Sequence, residues 1–390
     1  MSVYSAYAAE FTLRTHRVFV GDQQRIERYR RAITATVKPG DTVVEIGTGT
    51  GILALLAAQA GASHVYGIES DPVVHFARQV AARNGLADRI TFLQQLSYDA
   101  QIPERADVLI AGHLHNFGIE AQLLSSLVDA RERFLKADAV FMPRKIRLSV
   151  APLESANAWD DIDFWRQRHC GLDFSPLAEL ALGGCYKVGL RPESCLGDPQ
   201  PLVEFELGRV NSAHLVGAAE CTVTTAGLLH GVAGWFSAEL SPGVWLTNSP
   251  LNPSTQWAQV FFPVSDPTPV KERDRVAIRM STNNGCVWRW QIEVSGDGQT
   301  ASPAPASRRK FECSSDLALS LSAEALAKAS PAYIPQLSKR GEAAALLLGL
   351  IDGKRPSSSV EEEFLRLYSA CFPSRRQAAV FYKKMLDQFT

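Results

Sequence analysis

In the stretch VVEIGTGTGILALLAAQAGASHVYGIES, residues 43–70, glycines stand at Gly47, Gly49 and Gly51, and a carboxylate closes the segment at Glu69. An apolar strand that ends in such a turn and passes straight into a helix bares its main chain where side chains would collide with a ligand. A carboxylate about twenty residues on, at the end of the next strand, can accept both hydroxyl protons of a ribose. Together these residues describe a nucleoside pocket. The turn has glycine at every second position, unlike G-x-G-x-x-G, and it lacks the G-K-[ST] ending of a phosphate loop. Two more groups of reactive side chains flank it. HRVFVGDQQRIERY carries His16, Asp22, Arg25 and Tyr29, and IAGHLHNFGIEAQLL carries His113, His115 and Glu120.

The elements that must hold these residues follow from periodicity. Residues 1–39 read as polar amphipathic helix. From 41 to about 150, strands are expected at TVVEIG, HVYGIE, RITFLQQ, ADVLIAG and AVFMP. The helices between them are GILALLAAQAG, DPVVHFARQVAARNG and IEAQLLSSLVDARERFL. Such alternation predicts an α/β, Rossmann-like doubly wound parallel sheet over 1–143. After Pro143 the texture becomes short strands and turns, among them KIRLSVAPL, LVEFELG, HGVAGWFSAEL and VWRWQIEVSG, interrupted by a helix near AWDDIDFWRQRH. That spacing predicts an antiparallel barrel or sandwich over 144–298. GDGQTASPAPAS reads as a linker at 299–309, followed by a small, mainly helical domain over 310–390.

Composition narrows the function classes. The formal net charge of -1 gives no basic excess for nucleic acid. Seven cysteines show no C-x-x-C pair, and with no signal peptide they imply free thiols in a reducing cytoplasm. His64, His75, His169, His214 and His230 show no ligand spacing, so no metal is expected. Runs such as AAALLLGLI are too short to span a bilayer, so no membrane is expected either.

The E-I-G-T-G-T-G turn resembles motif I of class I S-adenosylmethionine-dependent methyltransferases. With the N-terminal segment it looks like the protein arginine methyltransferase family. DFWRQRHCGLDFS is similar to that family's dimerisation arm (near 157–180), and STQWAQVFF to its Thr-His-Trp loop, with Gln256 in place of histidine. The resemblance covers roughly residues 5–298. It implies S-adenosyl-L-methionine as cofactor, a β-barrel as the second domain and a homodimer. The implied cofactor pocket comprises His16, Arg25, Glu45, Gly47, Thr48, Gly49, Gly51, Glu69, Ser70, Ser97 and Tyr98. Arg25 pairs there with the methionine carboxylate and Ser97 and Tyr98 meet the adenine. Asn116, Phe117, Gln256 and Trp257 are expected to line the acceptor side.

One departure is informative. The family's hairpin after the fourth strand carries two glutamates that grip a guanidinium, whereas Gly112 stands at the first of these positions and Glu120 only approximates the second. A guanidinium enters protonated, so without a carboxylate pair its methylation loses transition-state stabilisation. Imidazole, with a pKa near 6.5, already offers a lone pair at neutral pH. A histidine side chain of a peptide or protein is therefore the favoured acceptor, with His113, His115 and Glu120 as candidate base or orienting groups. A small-molecule acceptor and a non-catalytic scaffold of the same fold are the alternatives. The tail YIPQLSKRGEAAALLLGLIDGK and onward resembles a PqqD-like peptide-recognition domain, with KFECS and LALSLS as its strands. That resemblance implies a ribosomal natural-product precursor peptide as partner.

Overall fold

The structure, a computed structural model, describes residues 13–120, 122–252, 255–296, 309–316, 332–368, 372 and 374–389. Two helices open it: α1 (Leu13–Gly21) and α2 (Gln23–Thr36), separated by Asp22, whose carboxylate accepts the Arg25 N–H at 3.0 Å and caps α2. The expected N-terminal helix is thus broken at the residue best suited to start a new one. The parallel sheet consists of β1 (Thr42–Ile46), β2 (His64–Glu69), β3 (Ile90–Gln94), β4 (Ala106–Ala111) and β5 (Leu135–Met142), in the order β3-β2-β1-β4-β5. Its crossovers are α3 (Ile52–Ala60), α4 (Val74–Arg83) and α5 (Leu123–Phe134). In this order the chain leaves β1 toward one edge and returns through β4 toward the other, so a crevice opens beyond the carboxyl ends of β1 and β4. β1 is buried along its whole length, as expected of a central parallel strand.

Lys145–Leu153 (β6) begins a region of two antiparallel sheets. After β6 the chain leaves the sheet as α6 (Ala156–Arg166), a minimal hairpin of β7 (Arg168–His169) with β8 (Leu172–Asp173), and α7 (Pro176–Leu182). This excursion occupies the place of the expected arm, and it exposes Phe164, Leu172, Leu177 and Leu180. The chain returns as β9 (Tyr186–Val188). Then follow β10 (Gln200–Glu206), β11 (His214–Thr222), β12 (Gly227–Ser241), β13 (Val244–Thr247), β14 (Gln259–Val270), β15 (Arg275–Asn283), β16 (Val287–Ser295) and β17 (Arg309–Ser314). The larger sheet runs β10-β6-β12-β14-β9 with β13 paired to β12, and the smaller runs β11-β15-β16-β17. Phe262 of the larger sheet packs edge-on against Trp288 and Trp290 of the smaller one, and Trp290 donates its indole N–H to the Pro263 carbonyl at 2.8 Å. One apolar cluster runs from Tyr29 and Val43 through Phe117 to Trp290 and Phe311, so the parallel and antiparallel regions share a core.

Two expectations are corrected. The sequence pattern assigns KFECS to the C-terminal domain, yet β17 pairs with β16 from Arg309 to Ser314, because Phe311 finds its burial in the antiparallel sheet. The 299–309 linker therefore stops at 308, and the chain divides into compact units at 1–320 and 321–390. Residues 299–308, LALSLS and SAEALAKA lie outside the described residues. The second unit shows α8 (Lys339–Leu350), α9 (Ser357–Tyr368) and α10 (Arg375–Phe389), with α8 and α9 joined by a turn in which Asp352 accepts the Lys354 and Arg355 N–H groups. Its own core gathers Leu347, Val360, Phe364, Phe372 and Tyr382. No strand occurs among its described residues.

Candidate active site

A cavity of about 540 Å³ opens at the carboxyl ends of β1 and β4. Gly47 and Gly49 form its floor with φ of +74° and +54°. A Cβ at Gly47 would lie 2.8 Å from His113 Nδ1, and one at Gly49 would lie 2.9 Å from His16 Cε1, so both positions demand bare main chain. The turn is tied to β2 by the Gly47 and Thr48 N–H groups, which donate to the Ile68 carbonyl at 2.8 and 3.1 Å. Glu69, at the end of β2, accepts the Gly49 and Asp71 N–H groups at 3.0 Å each. Burial holds its carboxyl above the usual range, against those hydrogen bonds. Glu45, buried within β1, is pushed up to about 8 by burial and accepts the Thr48 hydroxyl at 2.6 Å. Glu69 thus lines the cavity as a hydrogen-bond acceptor, while Glu45 braces the turn from beneath.

Arg25 supplies the cation. Its guanidinium, only 6% exposed, is surrounded by the rings of Phe19, Tyr29 and Trp257 at 5.6, 5.2 and 5.5 Å. Nη2 donates to the Gly112 carbonyl at 3.2 Å, and Nε is buried with no partner among the described atoms. Burial lowers its pKa, with Tyr29, Glu45 and Asp22 opposing, and it stays charged. Asp22 also reaches further along the chain. Its other oxygen accepts the Gln256 N–H at 2.9 Å, joining the start of α2 to the loop before β14.

The loop after β4 explains the missing glutamate. A Cβ on Gly112 would lie 2.7 Å from Leu53 Cδ1 and 3.0 Å from Arg25 Nη2. Leu53 is buried in α3, so the position is closed by packing. His113 is lowered to about 4 by burial and then by His115, against a hydrogen bond to the Ile46 carbonyl. Its Nδ1 is sealed against the glycine turn without a partner among the described residues. His115, in the left-handed region at φ +55°, is lowered to about 4 by burial. Both rings are neutral at pH 7. Glu120 is pushed up to about 7 by burial and accepts the Phe117 and Ile119 N–H groups at 2.7 and 3.2 Å.

The cavity thus gathers His16, Arg25, Glu45, Gly47, Thr48, Gly49, Glu69, Ser70, Ser97, Tyr98, His113, His115 and Trp257 of the expected residues. Gly51 lies just behind, where a Cβ would meet Phe92 and Ala77. Asn116, Phe117, Glu120 and Gln256 are not in its wall. Phe117 is 1% exposed and packs on Phe262 and Trp288, so it is core and not an acceptor contact. The Asn116 carbonyl accepts the Asn248 amide at 2.7 Å, and Gln256 offers its main chain to Asp22. Glu120 acts as a cap of its own loop, since both its oxygens are taken by backbone N–H groups, and His113 has no exposed lone pair for a base role. Sequence reasoning missed Cys286, a wall residue supplied by the turn between β15 and β16, and Gln122 and Ser126 at the start of α5. No local pattern marks them. Among the described residues, no group of three or more His, Cys, Asp or Glu could hold a metal, and no helix is long and apolar enough to cross a membrane.

An alternating glycine turn, a carboxylate ending the second strand, and a buried guanidinium with an unpaired N–H fit a nucleoside that carries a carboxylate. The parallel sheet order and this site define a class I methyltransferase, an enzyme whose cofactor is S-adenosyl-L-methionine. Comparison with known proteins narrows the class. The family model for the arginine methyltransferase oligomerization subdomain matches residues 144–295, and that for ribosomal protein L11 methyltransferase matches 27–143. Arginine N(omega)-methyltransferase of Streptomyces achromogenes subsp. streptozoticus is 32% identical over 277 residues, covering 68% of this chain and 75% of that protein. Human protein arginine N-methyltransferase 2 is 29% identical over 302 residues, covering 73% and 70%. The fold matches the PRMT1 enzyme–prozyme heterotetramer of Trypanosoma brucei with AdoHcy at TM-score 0.68 and 23% identity, covering 76% of this chain and 97% of that one. It matches Arabidopsis thaliana protein arginine methyltransferase 10 at TM-score 0.67 and 24% identity, covering 79% and 100%. The chain belongs to the arginine N-methyltransferase family.

Proposed function

We propose that this enzyme methylates an uncharged side-chain nitrogen of a peptide or protein, with histidine imidazole ahead of arginine guanidinium, and that its substrate is a ribosomal natural-product precursor peptide. The observation that carries the reading is the closed Gly112 position beside two neutral histidines. Among the described residues of the loop after β4, no carboxylate lines the cavity, so nothing on that loop replaces the lost glutamate. A guanidinium would bring a full charge to a site whose cation slot already holds Arg25, whereas a neutral imidazole brings only a lone pair.

Bound S-adenosylmethionine supplies an electrophilic methyl on a sulfonium. The chain holds the donor: Arg25 for a carboxylate, Glu69 for hydroxyl protons and the glycine turn for close approach. His115, lowered to about 4, is too weak a base to take a proton at pH 7 and serves as a hydrogen-bonding wall. No base is required, because the attacking nitrogen of a neutral imidazole carries no proton, and the proton on its other nitrogen leaves to bulk water afterwards. Rate then comes chiefly from alignment and exclusion of water.

The exposed apolar side chains of α6 to α7 support a homodimer, and the free thiols a cytoplasmic setting. The 321–390 unit, with its own core, acts as the peptide-capturing module and raises the local concentration of its substrate. A small-molecule acceptor is a second reading, favoured by the Streptomyces relative, whose name specifies arginine and no protein. Paired peptides differing only in His or Arg at one position, incubated with donor and read by tandem mass spectrometry, test the acceptor. A methyl on arginine and none on histidine overturns the reading. Deleting 321–390 should abolish peptide turnover and spare donor binding, whereas unchanged turnover of a metabolite would favour the second reading.

A further inference from the structure

Only two of the described residues of the antiparallel region reach the cavity wall, Trp257 and Cys286. Trp257 is fixed by stacking on Arg25. Cys286 belongs to the tight turn between β15 and β16, and that turn is joined to the parallel domain with unusual closeness. Gly285, at φ +67°, lies so near the loop after β4 that a Cβ would come within 2.1 Å of the Ile119 carbonyl. Asn284, at φ +59°, accepts the Ser125 N–H on Oδ1 at 3.2 Å and donates from Nδ2 to the Ser125 hydroxyl at 2.7 Å. The same hydroxyl receives the Tyr98 O–H at 2.8 Å, and Ser126 donates to the Tyr98 oxygen at 3.4 Å. Tyr98, 40% exposed, lies in the cavity wall at the end where the nucleoside base is expected.

We propose that Asn284 is a positioning residue for the donor: through Ser125 it fixes the Tyr98 ring, so the antiparallel domain sets the shape of the nucleoside end of the pocket. Tyr98 has two torsions and is half open to solvent. Without a partner for its hydroxyl it would sample other rotamers, and ordering it on binding would weaken affinity. The chain Asn284–Ser125–Tyr98 removes that cost in advance. It runs from one domain to the other without touching the acceptor, so it stands whichever nitrogen is methylated.

The test is a coupling measurement on the full-length protein with S-adenosylhomocysteine as the calorimetric probe. Asn284→Gly keeps the left-handed backbone and removes both hydrogen bonds, and it should raise Kd about tenfold. Asn284→Asp keeps a group that accepts from the Ser125 N–H and hydroxyl, and it should restore affinity to within about twofold. Tyr98→Phe should weaken binding as much as Asn284→Gly does, and the double variant should show no further loss, as expected of groups acting as one unit. A merely structural Asn284 would lower the melting temperature without this non-additivity. Additive losses in the double variant, or an Asn284→Gly protein that binds as the parent does, overturn the proposal.

Discussion

Replacing Gly112 with alanine tests why the site lacks its glutamate. The added methyl would lie 2.7 Å from Leu53 Cδ1 and 3.0 Å from Arg25 Nη2. Favourable contact requires about 3.5–4.0 Å, so the overlap with Leu53 is roughly 1 Å. Leu53 is 1% exposed and packed in α3, and Arg25 is held by three rings, so neither can swing away freely. Overpacking of this kind costs about 1–3 kcal/mol. Gly112 lies outside the positive-φ residues, so alanine incurs no backbone strain and gains about 0.4–1 kcal/mol by restricting the unfolded chain. The net expectation is a loss of about 1–2 kcal/mol, seen as a lower urea midpoint at unchanged slope. Because the methyl also presses on Arg25, donor affinity should fall about threefold to tenfold by calorimetry. Combining the change with Leu53→Ala should recover part of both, since the second substitution opens the space the first needs. If Gly112→Ala is as stable as the parent and binds the donor equally well, the position is not closed. A glutamate could then be accommodated there, and a charged acceptor would no longer be disfavoured.

Four further outcomes follow from the same geometry. Glu69→Gln leaves either the Gly49 or the Asp71 N–H facing an amide donor, so donor affinity should fall by about ten- to a hundredfold in calorimetry. Glu120 has a folded pKa of about 7 against 4.5 when unfolded, so its contribution to stability is present below pH 4.5 and lost as pH rises toward 7. Glu120→Gln leaves the Phe117 or the Ile119 N–H facing an amide donor but removes the titration, so it should flatten the decline of stability between about pH 4.5 and 7 in urea titrations, and a pH-independent difference from the parent would refute this. His115, at about 4 against 6.5, works in the opposite sense, so His115→Asn should flatten the loss of stability as pH falls from about 6.5 to 4. Gly285→Ala, facing both a positive φ and the Ile119 carbonyl, should cost about 2–4 kcal/mol in thermal unfolding, and a wild-type melting temperature would show that the turn is free to shift.

What the sequence made legible was local in the chain. The strand–glycine–helix passage, the Glu69 carboxylate and the Asp22 cap each depend on residues a few positions apart or on one short crossover, so pattern alone carries them. The pieces that escaped depend on partners far away. Asn284 meets Ser125 across 159 positions, and nothing in either segment announces the meeting. Phe117 sits in a loop whose position suggests acceptor wall, yet the rings that bury it come from β14 and β16. Composition marks 299–309 as a domain boundary, but pairing with β16 decides where Arg309–Ser314 belongs. Glu120 reads as a candidate base or orienting group because residue type shows charge and not which N–H groups will occupy it.

The two oxygens of Asp22 divide their work between the first turn of a helix and the main chain of Gln256. One small side group therefore acts as a latch between the helix that carries Arg25 and the loop that presents Trp257. Removing that carboxylate would release both ties at once, so the first turn of the helix and the approach to β14 would loosen together and not one by one.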